Sequence, residues 1–135
     1  MIDGAYARLM ARYNRWQNAS LYAAADSLSN DERRKDRGAF FKSIHATLSH
    51  LLWADHMWLS RISDAQPPST QLEESSSYRD DWTTLKQDRM TCDERLIIWA
   101  DGVVTGPSRS TRTAARPRRS ASRTRRTTPR RRRRP

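Results

Sequence analysis

The sequence changes character abruptly after Gly102, and this break limits which part of the chain can fold. Residues 1–102 hold all the aromatic residues, 13 Lys and Arg, and 15 Asp and Glu, so their net charge is −2. Residues 103–135 hold 13 Arg, no Lys and no acid, so they carry +13. After Val104 they contain only Arg, Ser, Thr, Ala, Pro and Gly, which cannot bury a core. We expect one domain over 1–102 and a disordered tail over 103–135.

Three long amphipathic helices are predicted in the first part. They cover about Asp3–Leu28, about Ala39–Ile62, and a segment from Ser77–Asp80 to Gly102, with Asp3 as an N-cap. A solvated connection over 31–38, with room for a short helical turn, should join the first two. The buried stripe of the first helix is predicted to be Tyr6, Leu9, Met10, Tyr13, Trp16, Ala19 and Ala23. The seam of the second is predicted to be Ile44, Leu48, Leu51, Asp55, Trp58 and Ile62.

These apolar stripes are broad, and they suit a bundle of four helices better than one of three. The fold class is therefore predicted to be all-α. The five tryptophans follow the core spacing, which favours a packing role over a nucleic-acid stacking platform.

The three histidines of the chain, His45, His50 and His56, all fall on the second predicted helix. Their spacings of five and six put consecutive rings on different faces, and His45 and His56 are separated by about 16 Å of rise. No two of them can bind one ion within a monomer. His50 lies beside the predicted seam, where it is either a metal ligand or an ordinary half-buried histidine. His45 and His56 are expected on the outer flank.

Several function classes lack their signatures. The sequence has no Gly-rich phosphate loop, no GxSxG and no HExxH motif. The single cysteine, Cys92, can form no intrachain disulfide, is expected to be a bystander near a helix start, and fits a reducing cytoplasm. No segment has the length of a membrane helix and the N-terminus is unlike a signal peptide, so we expect a soluble cytoplasmic protein without membrane contact.

Two blocks of the sequence resemble the DinB (damage-inducible, DinB/YfiT-like) family. They are YNRWQN at 13–18 and SIHATLSHLLWADHMWLSR at 43–61. The resemblance covers residues 1–102. It implies an up-down-down-up four-helix bundle, usually a homodimer, with a divalent metal, often nickel or zinc, bound by three histidines. One of these ligands matches His50, and the other two come from an HxxxH pair on the fourth helix. Relatives are described as metal-dependent hydrolases or thiol-dependent transferases, many with an unknown small-molecule substrate.

The sequence departs from the family pattern after Gly102. The expected fourth helix does not follow, and no histidine comes after His56. With two of three ligands missing, metal binding should be weak and catalysis absent, so we assign no catalytic residue. The arginine-rich composition is typical of a GC-rich gene read out of frame, so a frameshift just after Gly102 is one hypothesis. Two alternatives stay open: non-specific nucleic-acid binding through the tail, and an inactive bundle that dimerises to cover its seam.

Overall fold

The computed structural model describes residues 3–103, and this part of the chain is built from helices joined by turns. The helices are α1 (Gly4–Asp26), α2 (Asn30–Arg34), α3 (Ile44–Ile62), a 3-10 helix (Leu72–Ser77) and α4 (Trp82–Gly102). The all-α prediction is confirmed. The described residues contain three long helices, and the four-helix bundle stays a prediction. The predicted tail falls outside the described residues, except for Val103.

The long helices begin at side-chain caps. Asp3 accepts a hydrogen bond from the Tyr6 amide at 2.8 Å, which confirms its predicted role. Ser43 caps α3 through the Ala46 amide at 3.1 Å, and Asp81 caps α4 through the Thr84 amide at 2.8 Å. Each cap satisfies an amide that has no partner within its own helix.

The prediction that the second long helix begins at Ala39 is wrong, because a turn occupies the residues before Ser43. The Lys42 amide donates to the Ala39 carbonyl at 2.9 Å, and Lys42 has a φ of 68° in the left-handed region. A helix cannot continue through that conformation. The connection between α1 and α3 contains α2, and the prediction that this connection is solvated holds only in part. Arg33 is buried, donates to the Ala25 carbonyl at 3.1 Å, and its guanidinium lies 4.4 Å from the centre of a Trp82 ring.

The core forms where α4 packs between α1 and α3. Leu52, Leu59, Leu85 and Cys92 are almost completely buried there. Tyr22 of α1 stacks on Trp82 with ring centroids 5.6 Å apart. A smaller cluster joins the far end of α1 to α4 through Ala7, Ala11, Ile97 and Ala100. Among residues 3–103, no helix combines the length and apolar character needed to cross a membrane.

The predicted buried stripes of α1 and α3 are wrong in large part. The α1 apolar face, defined as Tyr6, Leu9, Tyr13 and Trp16, is 46–65% exposed. The α3 apolar face, defined as Leu51, Trp58 and Ile62, is 39–60% exposed. α1 instead contacts α4 through small residues such as Ala7 and Ala11, which allow close approach of the two helices. Leu48 of the predicted seam is buried, and the other buried residues of α3 are His45, Ser49, Leu52 and Leu59.

Candidate metal-ligand site

The His50 ring is half-buried at the edge of the helix packing, on the side of α3 that faces the 3-10 helix. Its Nδ1 lies 2.7 Å from the Ser75 Oγ. The ring stacks on Phe41, with ring centroids 4.1 Å apart, and Trp53 lies beyond it at 5.9 Å. The ring is therefore fixed in orientation by two aromatic neighbours and one hydrogen bond.

The Ser75 hydroxyl determines which His50 nitrogen carries the proton. Ser75 Oγ lies 2.6 Å from the Leu72 carbonyl, which can only accept, so the single hydroxyl proton is donated there. Ser75 Oγ must then accept from His50, and Nδ1 is the protonated nitrogen. In the neutral ring this leaves the lone pair on Nε2. A histidine that binds a metal through one nitrogen has this arrangement, because the other N–H is held by an acceptor.

His45 does not lie on the outer flank, so that prediction is wrong. It is only 3% exposed, and its Nε2 lies 2.8 Å from the Arg79 carbonyl, to which it donates. Its Nδ1 is buried and has no hydrogen-bond partner among the described residues. Burial lowers the pKa of His45, so the ring is neutral at pH 7. His45 is thus a structural histidine between α3 and the start of α4.

His56 is half-buried rather than on an outer flank. Its Nδ1 lies 3.0 Å from the Tyr78 hydroxyl. Burial, followed by the charges of Arg79 and Arg89, lowers the pKa of His56. The sequence contained a signal for both corrections. Positions 45, 49, 52, 56 and 59 also follow one another at alternating spacings of four and three, which is typical of one helix face. Three of the five residues are polar, so the row was not predicted to face the core.

A buried polar network joins the three long helices through Arg89, which is 3% exposed. Its guanidinium lies 2.8 Å from Asp55 of α3 and 2.6 Å from Asp93 of α4. Asn18 and Asn14 of α1 donate to Asp93 Oδ1 at 2.9 and 3.3 Å. Asp55 was predicted inside the packing. The roles of Arg89 and Asp93 were missed, although Arg89 follows Trp82 and Leu85 at spacings of three and four that are typical of one helix face.

Cys92 is fully buried in the middle of α4 rather than near a helix start. Burial raises its pKa to about 11. A buried thiol that stays protonated at neutral pH is a poor nucleophile and a poor metal ligand.

The family model described as the DinB family matches residues 1–131 of the chain. The chain belongs to the DinB family. The match extends past Gly102, where the sequence resemblance had been placed to end, and the frameshift stays a hypothesis. Comparisons with curated proteins and with solved structures find no match. The motif asparagines of this DinB protein, Asn14 and Asn18, are those that hold Asp93.

The residues of this DinB protein fit the implied metal only in part. Between residues 3 and 103, no group of three His, Cys, Asp or Glu side chains is placed to hold one ion. His50 offers a ring nitrogen without a hydrogen-bond partner there, with its other nitrogen held by an acceptor and its ring only half-buried. His45 has a similar arrangement, but its free nitrogen is buried. His45 and His56 use one ring nitrogen each in contacts with the segment before α4. One fitting ligand is present where the family resemblance implies three.

Proposed function

We propose that this DinB protein binds a divalent metal, nickel or zinc, through His50, weakly and without catalysis. The proposal is supported chiefly by the Ser75 hydrogen bond, which leaves the lone pair of His50 on Nε2. Phe41 limits the rotation of the ring by stacking on it. A fixed ring loses little freedom when it binds a metal.

The weakness of the site follows from the number of ligands. A catalytic zinc site uses three protein ligands and leaves one position open, and one histidine supplies a third of that set. In a complete site, a bound metal would supply Lewis-acid chemistry or activate a water or thiol, as hydrolases and thiol transferases require. The substrate of such a site would be a small molecule of unknown identity.

Calorimetric titration of the full chain with Ni²⁺ and with Zn²⁺ tests this proposal. We expect weak binding that His50→Ala removes and that His56→Gln, which deletes a histidine of the same helix, leaves in place. A version in which a helix carrying an HxxxH pair replaces residues 103–135 should bind far more tightly, and His50→Ala should weaken it. Tight binding by the unaltered chain that survives His50→Ala would overturn the proposal.

A second candidate function, non-specific nucleic-acid binding, rests on the +13 charge of residues 103–135. Arginines that neutralise phosphates release counterions, so such binding weakens steeply with salt. Replacing Arg130–Arg134 by serine should weaken binding to a labelled DNA duplex and make its salt dependence shallower. Binding that persists at high salt, or that the serine variant keeps in full, would contradict this candidate.

We also propose that two copies of the chain associate through the exposed α1 and α3 apolar faces. Exposed clusters of large apolar side chains are a common mark of an interface. Residues 105–135 contain no large apolar residue that could pack on these faces. A second copy supplies apolar faces of the same kind, as in a two-fold symmetric dimer.

A further inference from the structure

A cleft of about 420 Å³ lies between the second half of α3, residues 65–70 and α4. Leu59, Pro67 and Pro68 form an apolar part of its wall, and His56, Arg79 and Arg95 contribute polar groups. His50 is not part of this wall. The volume is within the usual range for small-molecule sites, roughly 300–1,000 Å³.

The two arginines of the cleft differ in how their charges are used. The Arg79 guanidinium interacts with neighbouring residues. It pairs with Asp88 and donates to the Tyr78 carbonyl at 2.9 Å, and its Cζ lies 3.9 Å from the centre of the Tyr78 ring. Arg95 is exposed and makes no ion pair or side-chain hydrogen bond with any residue between 3 and 103. Since Arg79 and Asp88 cancel, Arg95 leaves the cleft with a net charge of +1.

The proton on His56 can be placed from its neighbours, as for His50. The Tyr78 hydroxyl accepts from Arg79 Nη2 at 3.3 Å and keeps its own proton for His56 Nδ1 at 3.0 Å. We assign Tyr78 as the donor in this pair, because a neutral imidazole nitrogen is a stronger base than a phenol oxygen. The neutral ring then carries its proton on Nε2. That nitrogen makes no hydrogen bond within residues 3–103, so His56 can donate to a ligand in the cleft.

We propose that this cleft binds the carboxylate or phosphate group of a small molecule. Arg95 supplies the charged donor and His56 Nε2–H the neutral one. Guanidinium groups bind these oxyanions through charge-assisted hydrogen bonds, and a cation would meet the net positive charge. The apolar part of the wall, Leu59, Pro67 and Pro68, can contact an apolar part of the same ligand. The site is independent of His50 and of the metal proposal.

The site is tested by following the histidine ring signals of the full chain by NMR, with inorganic phosphate and acetate as probes. The ionic strength is held constant with sodium chloride, because the arginine-rich segment also attracts anions. The His56 signals should shift saturably with one or both probes, while those of His45 stay unchanged.

Binding should also raise the pKa of His56, because a bound anion favours the charged form of the ring. The charged and titratable groups that face His56 are Tyr78 and Arg79 from the segment before α4, and Asp88, Arg89 and Arg95 from α4.

Arg95→Gln should weaken the apparent affinity at least about fivefold, because a charge-assisted hydrogen bond is lost. Arg61→Gln is the matched control: Arg61 is also an exposed arginine, stacks on Trp58 outside the cleft, and its loss should leave the affinity unchanged. Three results would each overturn the proposal: no saturable His56 shift with either probe, equal shifts in Arg95→Gln, or the same shift produced by chloride.

Discussion

Asp93 is the one carboxylate that is buried among residues 3–103, and it is held by Arg89, Asn14 and Asn18. Burial acts against its charged form and raises its pKa, while Arg89 opposes that shift. The residue therefore depends on its partners. The motif that marks the family near the N-terminus has a structural role in this chain, because its asparagines satisfy a buried ion pair across two helices.

Removing Asp93 should be costly for the same reason. Asp93→Ala leaves Arg89 buried with Asp55 as its remaining charged partner, and breaking a buried pair typically costs about 3–5 kcal/mol. Urea unfolding measures the loss. Glu94→Ala is the matched control, since Glu94 is exposed and pairs with Arg15 at 2.8 Å, and it should cost less than about 1 kcal/mol. Equal losses in the two variants would show that the buried network stabilises the fold no more than an exposed ion pair does.

The histidines show what sequence reasoning could reach at this scale. His50 was chosen through the family resemblance, and its partner Ser75 could not be predicted, because it lies 25 residues away, between two predicted helices. His45 was misplaced because histidine on a polar-looking row is normally exposed. Its burial depends on the Arg79 carbonyl, which only the folded chain brings within 2.8 Å.

Among the helices, the sequence predicted which helices form better than it predicted where they begin and which face is buried. The three long helices and the Asp3 cap were predicted correctly. The buried face of α3 was not, because two rows with alternating four and three spacing run along it. Leu51 and Trp58 of the more apolar row are exposed, whereas His45 and Ser49 of the other row are buried. Hydrophobicity alone favours the first row, and the second is buried because its polar groups find partners.

The corrected start of α3 can be tested at Ser43. Ser43→Ala removes the side-chain acceptor of the Ala46 amide and should lower the free energy of unfolding by about 1 kcal/mol. Ser20→Ala is the control: Ser20 lies on the exposed surface inside α1, where alanine has the higher helix propensity, so the change should be neutral or slightly stabilising. No loss in Ser43→Ala would contradict a helix start at this residue.

At the scale of the whole molecule, the large apolar residues are distributed unusually. Trp16 and Trp58 are 64% and 60% exposed, while small residues fill much of the contact between α1 and α4. The chain belongs to the DinB family, and the part that the structure describes leaves two apolar faces uncovered. A second copy of the chain is our proposed cover.

The double variant Trp16→Glu with Trp58→Glu should shift the chain from dimer to monomer, because a buried unpaired carboxylate is costly. Analytical ultracentrifugation measures the mass at matched concentrations. Ile98→Glu is the control, since Ile98 is 69% exposed on α4 and lies outside both faces. A dimer that persists in the double variant, or a monomer in the unaltered chain, would contradict the proposed interface.

The proposed metal site depends on a His50 ring whose Nε2 lone pair is available to a metal. Long-range ¹H–¹⁵N NMR of the histidine rings, at a pH where they are neutral and without added metal, tests it most directly. We expect the proton on Nδ1 in His50 and on Nε2 in His45 and His56. Ser75→Ala should remove the preference in His50 alone. A His50 ring that carries its proton on Nε2 would contradict the claim.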